Sequence, residues 1–278
     1  MRLLHISDIH LYALEFSRSE FLTKNIFTNI NHLFNRQFTH SHKPLLKLLS
    51  DLKQFKVTHL LVSGDLTTTG SKKEFLMVKA LFKTIEQQGV KIFALPGNHD
   101  INNSALFNIL SKLTNQSIEN PFQGSKVLHC QLDAKYHMIL LDSTIFNYGL
   151  EAQGRFSEKM QQDLIKTLNS IHKDEVILIA NHFPILSYKK HKQLLGRDLL
   201  MKTLKKFDNV ALYLHGHRHR HEIIQDAFTI VDAGCSSKKR NSTGCLFNLT
   251  TSAITIEPLS YNHNQWVINE KQTSLISL

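Results

Sequence analysis

Cysteine is scarce in this chain. The three cysteines among 278 residues, Cys130, Cys235 and Cys245, form no CxxC pair. That excludes a zinc ribbon and a disulfide scaffold and fits a reducing compartment. Long apolar runs are missing too: none reaches the roughly 18–20 residues of a membrane span. The N-terminal stretch is too polar, and its apolar part too short, for a signal peptide, so the expected location is the cytoplasm. No GxSxG elbow and no GxxxxGK loop occurs, which leaves acyl-serine and P-loop chemistry without support. Internal repeats, low-complexity linkers and clear domain boundaries are also lacking, and a single domain over residues 1–278 is expected.

The chain is 42% hydrophobic and 20% charged, an ordinary soluble composition with enough apolar residues for a large core. Its net charge of +10 favours anionic partners: phosphates, nucleic acid or an anionic membrane surface. There are 17 histidines, and several fall in one recurring context.

That context is the end of an apolar strand. Residues 90–95 read as a buried strand, and Pro96 and Gly97 end it sharply. Asn98, His99 and Asp100 follow at once: an amide oxygen, an imidazole, and a carboxylate able to orient that imidazole. Residues 1–7 read as another strand, ending in Asp8-Ile9-His10, whose alternate side chains face one point. Residues 57–63 deliver Gly64 and Asp65, residues 175–180 deliver Asn181 and His182, and residues 210–214 deliver His215, Gly216, His217, Arg218 and His219. In open α/β sheets, ligands bind outside the carboxyl ends of the strands, so these residues should converge. Two carboxylates, an amide and four or five imidazoles are too many for one tetrahedral zinc and suit two metals sharing a bridging Asp. Mixed nitrogen and oxygen donors without thiolate favour manganese, iron or zinc.

Helices are expected over residues 44–55, over 71–88 with Ser71 as N-cap and Glu74 in the capping box, and over 157–171. Asp142, at the end of a strand over 136–141, reads as structural. Residues 188–206 carry seven basic side chains, which read as a solvated helical face or as an electropositive wall beside a phosphate site. Residues 15–40 carry aromatic and aliphatic positions at roughly helical spacing. They read as a helix packed on the main sheet, or as a basic, aromatic cap touching substrate or a membrane's inner face. From residue 220 short alternating segments suggest strands without intervening helices.

Taken together, Asp8-Ile9-His10, Gly64-Asp65, Gly97-Asn98-His99-Asp100, Asn181-His182 and Gly216-His217-Arg218-His219 resemble the calcineurin-like metallophosphoesterases, in that family's order and across about residues 1–250. The longer forms Ile-Ser-Asp-Ile-His-Leu, Gly-Asp-Leu-Thr and His-Phe-Pro look most like the branch with the class III cyclic-nucleotide phosphodiesterases. The resemblance implies a four-layer α/β/β/α sandwich with two mixed sheets flanked by helices. It also implies one metal on Asp8, His10, Asp65 and His219, and a second on Asp65, Asn98, His182 and His217. His99 would lie beside the scissile phosphate as acid or charge stabiliser, with Asp100 behind it. Two departures, Asn181 where that branch often has a second His and the insertion at 15–40, bear on the substrate rather than on the metals.

The expected activity is hydrolysis of a phosphodiester, cyclic-nucleotide-like or another small phosphate ester, by a hydroxide bridging two divalent or mixed-valence metal ions. The alternatives are a pyrophosphatase acting on a nucleotide-sugar or lipid-linked substrate, a nuclease favoured by the charge, and an interaction scaffold on the same fold.

Overall fold

The computed structural model describes residues 1–13, 41–101, 126–147 and 151–278. The expectations for 15–40 lie outside the described residues.

Two mixed sheets carry the structure. In the first, the order is β14-β13-β12-β1-β2-β3, with β15 also on β13. Its parallel centre is β1 (Arg2–Ile6), β2 (His59–Val62) and β3 (Lys91–Ala94). Antiparallel β12 (Thr243–Leu249), β13 (Ala253–Asn262), β14 (Gln265–Ile268) and β15 (Ser274–Ser277) extend it. In the second, the order is β10-β11-β9-β7-β5-β4. Here β5 (Tyr136–Leu141), β7 (Val176–Asn181), β9 (Val210–His215) and β11 (Thr229–Ala233) are parallel. The edges β4 (Val127–Gln131) and β10 (His221–Gln225) run antiparallel. The short strands β6 (Gly154–Arg155) and β8 (Leu194–Leu195) pair with each other.

Three apolar clusters fix the layers. One packs α1 (His42–Ser50) and α2 (Lys72–Glu86) on the outer face of the first sheet, through Leu45, Leu48, Phe75 and Phe82. A second lies between the sheets, where Leu3, Leu61 and Phe247 meet Met138, Leu178 and Leu212. A third packs α3 (Glu158–Asn169) and α4 (Arg197–Leu204) on the second sheet, through Leu164, Leu168 and Leu200. The result is the α/β/β/α sandwich. Its parallel strands are buried on both faces, as their unbroken apolar runs require.

The α2 capping box forms as the sequence predicts: Ser71 accepts from the Glu74 amide, and Glu74 reaches back to Ser71. The first helix is shorter than its apolar spacing suggests. It ends at Ser50, and Leu52 and Phe55 bury from a turn instead. Residues 188–206 are not one helical face: a 3-10 turn (Lys190–Lys192) and β8 precede α4.

Candidate metal centre

The carboxyl ends of β1, β2, β3, β7 and β9 open on one rim, and each expected site residue follows one of these strands. Asp8, His10, Asp65 and His219 gather their donor atoms within 4.8 Å of one another, and so do Asp65, His182 and His217. Asn98 joins the second group, with its Oδ1 3.3 Å from His182 Nε2. Both groups draw residues from both sheets, so the centre lies where the two sheets meet.

Each carboxylate divides its two oxygens. Asp8 Oδ2 accepts the His217 amide at 2.9 Å, and Asp8 Oδ1 lies 3.0 Å from His219 Nε2. Asp65 Oδ1 accepts the His99 amide at 2.9 Å. Asp65 Oδ2 lies 3.8 Å from His10 Nε2 and 3.5 Å from His182 Nε2. One oxygen therefore pins a loop that arrives from another strand, and the other faces the centre. Asp65 Oδ2 is the atom that both groups share.

The histidine rings are set by backbone carbonyls. His182 Nδ1 lies 2.9 Å from the Ser63 carbonyl, His217 Nε2 3.0 Å from that of Lys192, and His10 Nδ1 3.4 Å from that of Thr67. A carbonyl only accepts, so those nitrogens carry protons, and the opposite nitrogens face inward, placed to offer lone pairs to a cation. His99, half-buried, is fixed the same way by the Thr68 carbonyl at 2.7 Å.

The backbone here is strained. Nine described non-glycine residues have positive φ, and five are Asp8, His10, Asp65, His217 and His219, between 42° and 70°. Such conformations cost on the order of 1 kcal/mol each, and they cluster at functional sites. Two glycines make room. Gly64, at φ 103°, lies where a Cβ would come within 2.5 Å of His182 Nδ1. At Gly97 a Cβ would collide with the Asp65 carboxylate and amide. The Asp8 carbonyl is held by Cys235 Sγ at 3.1 Å and Ser237 Oγ at 3.2 Å.

Asp100 corrects the sequence reading. Its carboxylate does not support His99. It accepts from the amides of Leu66, Thr67 and Gly97 and from Thr67 Oγ1, at 2.7–3.1 Å. It splices the β3 exit to the β2 exit and so positions Asn98 and His99 through the backbone. Burial, and then the Asp65 charge, push it up to about 7 against those donors. Asp142 is structural, as expected: it accepts from Thr144 and lies 3.8 Å from Lys126 Nζ.

The electrostatics are those of a negative pocket lined with imidazole. Burial alone raises the Asp65 carboxyl, but His182, His99 and His10 together hold it well below the carboxylate range. Burial lowers His182, yet Asp65, Asp8 and the Ser63 carbonyl outweigh it and lift the ring to about 9. Burial, then the His182 charge, push His217 down to about 3.

This donor set fits divalent cations on two counts. Asp8 Oδ1 is buried and makes no hydrogen bond of good geometry, although His219 Nε2 lies 3.0 Å away. Inward ring nitrogens also face each other at 3.2 Å, His10 to His219 and His182 to His217. Two nitrogens on one tetrahedral zinc stand about 3.3 Å apart.

A family model described as calcineurin-like phosphoesterase matches residues 1–221. The chain belongs to this family. Within it, the chain is similar to a curated protein of Vesicomyosocius okutanii subsp. Calyptogena okutanii (strain HA) named probable cyclic nucleotide phosphodiesterase. The two are 23% identical over 184 residues, 65% of this chain and 70% of the relative. Among solved structures, a dimetal phosphatase from Danio rerio superposes with a TM-score of 0.66 at 15% identity, covering 96% of this chain and 98% of its own. Purple acid phosphatase PPD1 from yellow lupin gives 0.67 at 12% identity, over 99% of this chain and 53% of its own. GAP50 of Plasmodium, titled the anchor in the inner membrane complex, gives 0.65 at 15% identity, over 100% and 89%. These likenesses establish the phosphoesterase fold.

The groups that hold these candidate ligands in place carry no sequence signal of a site. Ser63, Thr67, Thr68 and Lys192 act through carbonyls, which leave no side-chain signal. Cys235 and Ser237 come from the far end of the chain. Arg218, between two ligands, pairs with Glu222 at 2.8 Å and lies 5.4 Å over the Tyr188 ring. No helix among the described residues is long and apolar enough to cross a membrane.

Proposed function

We propose that this phosphoesterase hydrolyses a small phosphodiester at a dinuclear centre of manganese, iron or zinc. The carrying observation is Asp65 Oδ2, which faces both ligand groups at once. The nitrogen and oxygen donors, with no thiolate among them, support those three metals. The name of the Vesicomyosocius relative, probable cyclic nucleotide phosphodiesterase, supports a diester, and a cyclic nucleotide among diesters.

Asp8, His10, Asp65 and His219 would hold one cation, and Asp65, Asn98, His182 and His217 the other. When bound, such a pair makes hydroxide available near neutral pH and neutralises phosphoryl charge. The chain's own residues do the rest. His99 Nε2, opposite the nitrogen fixed by Thr68, is the group that gives its proton to the departing alkoxide. The Thr68 carbonyl stabilises the imidazolium before that transfer and the single remaining tautomer after it. Asp100 keeps the His99 amide on Asp65, so the acid and the shared ligand move as one unit.

The test is hydrolysis of bis-p-nitrophenyl phosphate against p-nitrophenyl phosphate, with manganese and with chelator. Manganese-dependent cleavage of the diester is expected. On a diester with an alkyl leaving group, whose alkoxide needs that proton, His99→Ala should lower kcat by about 10²–10⁴-fold, the range for a general acid, with metal content unchanged. Turnover that survives chelation, or an unaffected His99→Ala, contradicts the reading.

A further inference from the structure

Two basic loops flank the centre, and each is bonded to one of its ligands. Lys192 receives the His217 ring on its carbonyl at 3.0 Å. Its neighbours are tied as well: the His191 carbonyl accepts the Ala152 amide, and the Lys190 carbonyl accepts Gln153 Nε2. The turn is thus fixed by three carbonyls, while the side chains of Lys189, Lys190 and His191 are exposed. On the other flank Lys238 Nζ donates to the His219 carbonyl at 2.7 Å. Ser242 Oγ closes that loop on the Lys238 carbonyl at 2.6 Å, and Lys239 and Arg240 are exposed. No Asp or Glu occurs between residues 176 and 197, or between 233 and 256. Neither loop carries its own counter-charge.

The scissile phosphate does not call for this charge. Two divalent cations, the Asp8 and Asp65 carboxylates, a hydroxide and one monoanionic diester already sum to neutral. The loops carry further cationic side chains, on turns bonded to His217 and His219. Ammonium and guanidinium groups beside a phosphate site are suited to more phosphate.

We propose that the substrate carries at least one phosphate beyond the one cleaved, seated on the 189–191 and 239–240 loops. This rests on the hydrolytic reading above and narrows its substrate class: a cyclic mononucleotide, whose single phosphate is the one cleaved, does not meet it. The extra phosphate belongs either to a small bisphosphate-type ester or to a short single strand of nucleic acid.

The experiment compares two chromogenic diesters that differ by one phosphate: the p-nitrophenyl ester of thymidine 5′-phosphate and that of thymidine 3′,5′-bisphosphate. With manganese, kcat/KM should be at least tenfold higher for the bisphosphate at low salt, and the advantage should shrink as salt rises. The double variants Lys189→Gln/Lys190→Gln and Lys239→Gln/Arg240→Gln should each erase most of that advantage through KM. The α3 control Lys159→Gln/Lys166→Gln should not. Equal use of the two esters, or equal losses in the control, overturns the proposal. Anisotropy of labelled pentathymidylate reads the same loops without turnover. If neither ester is cleaved, the hydrolytic reading fails, and binding that the loop variants do not weaken sinks this inference separately. Pentathymidylate binding with a salt slope steeper by about 0.7 per phosphate engaged identifies a strand. A gain confined to the bisphosphate identifies a small ester.

Discussion

The sandwich core and the rim above it obey opposite rules. In the core, Leu3, Leu60, Leu164 and Leu178 are fully buried, in regular elements, among apolar neighbours. On the rim, at the ends of the same strands, Asp8, Asp65, His182 and His217 are almost as buried, yet they are ionisable. Four of the rim's candidate ligands and Asp65 stand at positive φ, and Asp8 Oδ1 makes no hydrogen bond of good geometry although His219 Nε2 lies 3.0 Å away. The core has local stability that the rim spends on holding seven donors in one place. The comparison teaches that burial alone does not mark a stabilising residue: beneath the rim it expels water from hydrocarbon, and at the rim it concentrates charge.

Breaking the core should cost stability and spare chemistry. Leu164→Ala, in the outer helical layer, should lower the unfolding free energy by about 2–5 kcal/mol. Denaturant titration reads this, and turnover per folded molecule should stay within about twofold. A large loss of specific activity at full folding would show that the two regions are not separable.

Thr67→Val sharpens the comparison at the boundary. It removes one donor to buried Asp100 and keeps the shape. A smaller stability loss, about 1–3 kcal/mol, should come with an activity loss of about tenfold, because the turn carrying Asn98 and His99 loosens. A stability change with no activity change would make Asp100 part of the core and nothing more.

The comparison also explains what the sequence made legible. The parallel strands were readable because both their faces are buried, so they appear as unbroken apolar runs. Their polar exits stand out against those runs, which is why Asp8, His10, Asp65, Asn98, His99, His182, His217 and His219 could be expected to gather on one rim. Edge strands carry less signal. β4 is interrupted by exposed His129 and Gln131, and β10 and β15 are short and half-exposed. The rim's support was hidden for other reasons. Carbonyl partners depend on backbone direction, and a positive φ at Asp or His leaves no mark that a glycine would. Asp100 misled because adjacency in sequence suggested contact with His99, whereas the turn points its carboxylate at residues 66, 67 and 97.

The most direct test of the account is the metal stoichiometry of the purified protein and of Asp65→Asn, measured by calorimetric titration with manganese beside diester turnover. Asn tolerates the left-handed backbone of Asp65, so the fold should persist. The account predicts two manganese ions per wild-type chain, one for each donor group. It also predicts weakened binding of both in the variant, with turnover lower by about 10³-fold or more, since Lewis-acid stabilisation is worth several kcal/mol. A variant that still binds two ions with wild-type affinity, or turns over normally, would contradict the claim that Asp65 is the shared ligand on which the centre is built.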